Sequence, residues 1–317
     1  MHICEISDVP LFRLGEQIKI RKGSEMPKKI TIVSAAALVL LIGVIILAAT
    51  LSRKKTSDIP AKISVYDRGA SVIYTPDYDD FLAGCVEGLL INNITFEPEA
   101  LKAIAIAENT RIMYFLKQNN GFDDLGADIT VSDRIPYIHE AARPEVKEAA
   151  KSALSYTLTF EDEPFNAPIC KISTGRTDEC PPYSPSVGLP CDINAPGYEG
   201  RSEFTPEEVR SALNGGNLTY NFIEWLHDPV YSENGTLLFI DLADEKVSGE
   251  TLRSALKLRS TAISAEFFED RFIFKCQGWG DNRGMSVYAA NYLAQKGMTA
   301  EEILNIFYPN AELSAVK

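Results

Sequence analysis

The most conspicuous hydrophobic pattern lies near the start of the chain. ITIVSAAALVLLIGVIILAATLS, from Ile30 to Ser52, carries no charge over its 23 residues. At ~1.5 Å rise per residue a helix of that length spans a bilayer core of about 30 Å. The run is too long for the apolar core of a signal peptide, about 7 to 15 residues. Residues 30–52 are therefore expected to form one transmembrane helix. Lys19, Arg21, Lys22, Lys28 and Lys29 precede it, and Arg53, Lys54 and Lys55 follow. The cluster on the N-terminal side places residues 1–29 in the cytoplasm and the body outside the membrane. Met26 directly before this run makes a natural start, so residues 1–25 are expected to be an over-extended reading frame. Residues 53–62 read as a polar linker.

Beyond the linker the patterning changes to short, mixed elements. ISVYD and SVIYT, split by Arg68-Gly69, read as strands. Asp77 to Leu90 reads as a helix. Glu97-Pro98-Glu99 opens another, which runs to Asn119-Asn120-Gly121, with acids in the first turn and proline where helices tolerate it. Leu101, Ile104, Ala105, Ala107 and Ile112 give it a broad apolar face, so it is expected near the centre of the core. Pro144 to Ser155 is a further helix, followed by the strands YTLTFE and ICKIS. Residues 180–203 read as a long Pro- and Gly-rich loop, a length often associated with function. Thr205 with Glu208, and Thr299 with Glu302, form capping boxes. Between them lie the strand GTLLFIDL, a short helix after Ser248, paired strands about Glu269-Asp270 and a helix from Ser286 to Gln295. Strands and helices mix without βαβ alternation, which predicts an α+β domain over 63–312 and a tail at 313–317.

Charge sharpens this division. The chain of 317 residues has a net charge of -13, made of +5 over residues 1–55 and -18 over the remainder. An acidic body excludes general nucleic-acid binding, which needs a basic face. The six cysteines include no CxxC pair and no Cys/His cluster, so neither a metal site nor a cofactor is expected. Cys180 and Cys191 bracket the Pro-rich loop; a disulfide there and free thiols are both open readings.

Several stretches, in order, resemble the stage II sporulation protein D / LytB amidase-enhancer family. They are Phe81-Leu82-Ala83-Gly84, Glu99-Ala100-Leu101-Lys102-Ala103, Ser173-Thr174-Gly175-Arg176-Thr177 and Pro196-Gly197-Tyr198. Val247-Ser248-Gly249 with Leu258-Arg259-Ser260 follow, then Gly278, Gly280 and Gly284-Met285-Ser286, with Tyr308-Pro309 last. The resemblance implies a membrane-anchored, extracytoplasmic protein acting on peptidoglycan in sporulation, alongside other sporulation or cell-wall membrane proteins. Its enzymes are lytic transglycosylases, which cut glycan strands without water and leave an anhydro sugar.

That chemistry needs a carboxyl group held protonated near neutral pH. The family's glutamate falls on Leu89 when counted forward from Leu82, and on Ile91 when counted back from Glu99. Glu87 lies two residues before Leu89, roughly 200° round a helix from it. Asp281 stands where the family carries a histidine, and Asn109 where it carries an arginine. His139 and His227 fall outside the matched motifs and read as structural or exposed. Two functions stay open. One is a glycan-binding protein with a degenerate site lined by Ser173, Thr174, Arg176, Thr177, Trp279 and Ser286. The other is an active, divergent transglycosylase with Glu87 or Asp281 as general acid/base.

Overall fold

The computed structural model describes residues 59–118, 126–131, 135–139, 141–213, 221–243 and 245–316. The chain separates into two units, Met1–Lys55 and Thr56–Lys317, and every described residue belongs to the second. The span expected at 30–52 lies outside the described residues. No helix among those described is long and apolar enough to cross a membrane.

The body is α+β, as its patterning predicts, and it buries two large apolar clusters and a small third one. The first surrounds α2 (Pro98–Gln118), preceded by α1 (Tyr78–Leu89). Every residue of α2 from Ala103 to Met113 is buried. A helix apolar or satisfied all round must be central, because no face is left for water. The helices α3 (Pro144–Ala153), α6 (Val287–Gln295) and α7 (Ala300–Phe307) contribute to the same cluster. Two small sheets lie at its margins. One joins β1 (Val65–Asp67), β2 (Val72–Tyr74) and β3 (Ile129–Val131) in the order β2-β1-β3. The other joins β4 (Tyr156–Phe160), β5 (Glu163–Pro164) and a C-terminal strand, Glu312–Ala315, that pairs antiparallel with β4. The sequence assigns most of that last strand to a tail; at four residues, Glu-Leu-Ser-Ala, it is too short for its alternation to announce a strand.

The second cluster is built around Trp225, Phe272 and Phe274. Next in chain order come β6 (Ile169–Cys170), β7 (Glu199–Phe204) and α4 (Pro206–Ala212). Then follow β8 (Leu226–Tyr231), β9 (Leu237–Leu242), β10 (Glu245–Ser248) and α5 (Gly249–Leu256). β11 (Ala262–Phe268) and β12 (Arg271–Gln277) form the hairpin expected about Glu269-Asp270. β7 pairs antiparallel with β12 across six residues. The loop read as 180–203 is therefore shorter than expected at its C-terminal end. EGRSEF is too polar to announce a strand, and its pairing with β12 creates one.

Both capping boxes form: Thr205 and Thr299 each accept the third backbone N–H, and Glu208 and Glu302 reach back to the cap. Each such cap contributes about 1 kcal/mol. Cys180 and Cys191 are free thiols.

A tight backbone seam joins residues 168–172 to 278–288. Trp279 N–H donates to Ile172 O at 2.7 Å, and Trp279 O accepts both Lys171 N–H (2.9 Å) and Ile172 N–H (3.1 Å). β13 (Met285–Ser286) then pairs parallel with β6. Gly284 sits at φ 66°, and a Cβ there would lie 1.9 Å from Pro168 O. By contrast, Gly297 has φ 91° with nothing within 4 Å of a Cβ. Gly284→Ala is therefore expected to lower stability by about 3 kcal/mol, and Gly297→Ala by only about 1 kcal/mol. Urea unfolding of the two variants checks this, and equal effects would contradict the seam.

Candidate functional site

The seam forms one wall of a groove of about 790 Å³. Leu89 at the end of α1, Lys171 after β6, Trp279 and Asp281 on the glycine-rich turn, and Arg259 beyond α5 all line it. Both large apolar clusters thus contribute elements to its walls.

Leu89, one of the two positions on which the family's glutamate is expected to fall, faces this groove with 4% exposure. Ile91, the other, is buried with Ile172 and Ala195, and Trp279, Tyr198 and Tyr288 pack on that small cluster. Neither position offers a proton donor. Glu87 is turned elsewhere: its carboxylate accepts Arg143 Nε–H at 2.9 Å and Arg143 backbone N–H at 3.2 Å, and it is absent from the groove lining. Asp281 does line the groove. Burial raises its pKa above the usual carboxylate range, against the lowering pull of Arg283. Its Oδ1 accepts Arg283 N–H at 3.3 Å.

Trp279 is not an open platform. Lys171 Nζ lies 4.5 Å from its ring centroid and the Arg259 guanidinium 4.6 Å. Such cation–π contacts stabilise by ~0.5–2 kcal/mol depending on solvent exposure. Lys171 Nζ also donates to Leu90 O at 3.3 Å, which holds the ammonium against the backbone between Leu89 and Ile91. Arg259 donates to Gly197 O at 2.5 Å, so the Pro196-Gly197-Tyr198 turn anchors it. Burial, reinforced by Arg259, lowers the Lys171 pKa to about 8.

The Ser173-Thr177 turn is braced rather than displayed. Ser173, Thr177 and Ser286 are fully buried, Thr174 is half-buried, and Arg176 is exposed. Ser286 Oγ caps α6 by accepting Ala289 N–H at 3.2 Å. Asp192, also fully buried, accepts Ser173 N–H at 2.7 Å, and burial raises its pKa despite that bond. Asn282, in the glycine-rich turn, has φ 61° and is 1% exposed. Its Oδ1 accepts Thr174 N–H (3.0 Å), and its Nδ2 donates to Arg176 O (3.1 Å) and Thr236 Oγ1 (3.2 Å). Asp178 completes the brace, accepting from Ser232 Oγ, Asn234 Nδ2, Asn282 Nδ2 and Thr236 Oγ1. Sequence reasoning missed Asp192, Asp178 and Asn282 as organisers. Only an Asn within a glycine-rich turn was a usable signal, since Asn tolerates a left-handed backbone.

Within α2, Glu108 and Arg111 form a buried ion pair, and Arg111 reaches the groove. Burial raises the Glu108 pKa, with Arg111 opposing. Among the described residues, His227, Asp228 and Asp241 are close enough to hold a metal. However, Lys246 already pairs with Asp241 at 2.8 Å, and His227 bonds Asp228 and Ala243 O through its two nitrogens. His139 bonds Tyr74 and Asp67 at the edge of the β1 sheet.

The chain matches no family model. It is 24% identical over 281 residues to stage II sporulation protein D of Bacillus subtilis (strain 168), covering 80% of this chain and 79% of that protein. It is 22% identical over 276 residues to stage II sporulation protein D of Bacillus amyloliquefaciens, with the same coverage. The chain is thus similar, at 22–24% identity over about four fifths of its length, to two stage II sporulation D proteins. Of the positions expected to depart from the family's pattern, Leu89 and Asp281 line the groove, while Asn109 is buried in the core, donating to Tyr156 O and accepting from Tyr78 Oη–H.

Two outcomes are expected. Asn282→Gly keeps the backbone geometry but strands Thr174 N–H and part of Asp178, lowering stability by about 2–3 kcal/mol in denaturant titrations. After ¹³C-reductive methylation, NMR should show one lysine titrating near 8 while solvated lysines titrate near ~10.4. Lys171→Arg should remove that signal. Because burial disfavours the charged form, Lys171 is protonated below about 8 and loses its charge as pH rises through it.

Proposed function

We propose that this chain is a sporulation cell-wall protein that holds glycan strands in the groove without cutting them. Residues 30–52 anchor it in the cell membrane and the body works outside. The observation carrying this reading is that Leu89 faces the groove. The charged group that bonds this segment's backbone is the Lys171 ammonium, on Leu90 O, and not a carboxyl. A transglycosylase must protonate the glycosidic oxygen as the C1–O bond breaks. The resulting carboxylate then takes the proton of the sugar hydroxyl that closes the anhydro ring. An apolar side chain beside an ammonium held on a carbonyl provides no carboxylate for that second step. Glu87 is engaged with Arg143, which leaves the catalytic place without an acid.

One observation favours the second reading, an active divergent enzyme. Asp281 lines the groove, and its pKa is raised by burial. A carboxyl group so placed is a candidate general acid.

Purified sacculi incubated with the full-length protein separate the two. The binder should sediment with the sacculi and release no anhydromuropeptides. Anhydro products that disappear in Asp281→Asn and persist in Glu87→Gln would establish the enzyme instead.

A further inference from the structure

The groove is cationic although the protein is acidic. Arg111, Lys171, Arg201, Lys257, Arg259 and Arg283 line it together with Arg253, against only Glu250 and Asp281. Three of these cations already have carboxylates: Arg111 pairs with Glu108, Arg201 with Glu203 and Arg253 with Glu250. Lys171, Lys257, Arg259 and Arg283 have no carboxylate within salt-bridge distance among the described residues. A cleft lined by one sign of charge concentrates field lines and draws the opposite sign, whatever the net charge of the body.

Two of the four are fixed. Lys171 is held by Leu90 O and the Trp279 ring, and Arg259 by Gly197 O and the same ring. Both cations lie over Trp279, so a sugar ring would have to displace them to stack there. The indole orients charges. Lys171 meanwhile stands beside the segment where the family glutamate is missing.

We propose that the groove recognises oxyanions borne by the glycan strand, so that the ligand supplies the negative charge which the protein lacks at this place. This rests on the glycan-binding reading and specifies its ligand class: a strand carrying carboxylate or phosphate groups, and not a neutral polymer. Arg259 and Arg283 present guanidinium forks suited to either group, with Lys171 and Lys257 as point charges.

The test measures equilibrium binding of the full-length protein to three probes at two salt concentrations. The probes are glycan strands with their phosphates, the same strands after hydrofluoric acid treatment, and a neutral N-acetylglucosamine hexamer. A fourth sample has its carboxyl groups capped as amides. The expected result is binding to the anionic strands at least tenfold tighter than to the hexamer, weakening with salt. Loss on hydrofluoric acid treatment identifies phosphate as the source, and loss on amidation identifies carboxylate. Lys171→Met and Arg259→Gln should each weaken anionic binding about tenfold without weakening that of the hexamer. Lys257→Gln and Arg283→Gln, at exposed positions, keep the test valid if the first two variants unfold. Equal, salt-insensitive binding of hexamer and strands overturns the oxyanion proposal while leaving glycan binding intact. Binding of neither overturns both readings. Anionic binding unchanged by all four substitutions places it elsewhere and also overturns the proposal.

Discussion

The groove depends on one backbone seam. Residues 168–172 and 278–288 approach so closely that main chain meets main chain, with Trp279 exchanging hydrogen bonds with Ile172 and Met285 N–H bonding Pro168 O at 3.0 Å. A Cβ at Gly278, Gly280 or Gly284 would lie 2.7, 2.9 or 1.9 Å from the facing strand. The glycines of this turn therefore exist for proximity. Through the seam, Trp279 is set against Lys171, and Asn282 is brought under the Ser173-Thr177 turn. The rest of the site follows from that placement.

Around the seam, polar groups divide into those that build and those that face the groove. Asp192, Asn282, Ser173 and Ser286 are enclosed and Asp178 is half-buried, and their bonding capacity goes to backbone groups and neighbouring side chains. Leaving any of these atoms unpartnered would cost about 1–3 kcal/mol, which is why such networks stay complete. Lys171, Arg259, Asp281 and Arg283 instead line open space. Motif resemblance treats both sets alike, because it records residue type and order and not enclosure.

Charge shows the same separation of scales. A body with a balance of -18 gives no reason to expect attraction to an anionic polymer. The groove reverses that locally, because residues from α2, the segment after β6, β7, the end of α5 and the glycine turn converge there. These cations are scattered from position 111 to 283 along the chain. Their convergence is a property of the packing, and composition averages it away.

By itself the sequence determined the elements with strong local causes. The central helix followed from its apolar face and acidic first turn, the two capping boxes from their spacing, the β11–β12 hairpin from the paired strand-like runs about Glu269-Asp270. The order of family-like motifs and the absence of a glutamate at Leu89 or Ile91 were also legible, since both are matters of residue identity. Tertiary structure decided the rest. β7, β8 and the strand at Glu312–Ala315 carry weak local strand signals and become strands through pairing with β12, β9 and β4. That Glu87 turns to Arg143, that Asp281 faces the groove, and that two cations cover Trp279 depend on contacts between residues tens to over a hundred positions apart. Local propensity acts over a few residues; burial and charge act through space, and only the fold fixes which residues share it.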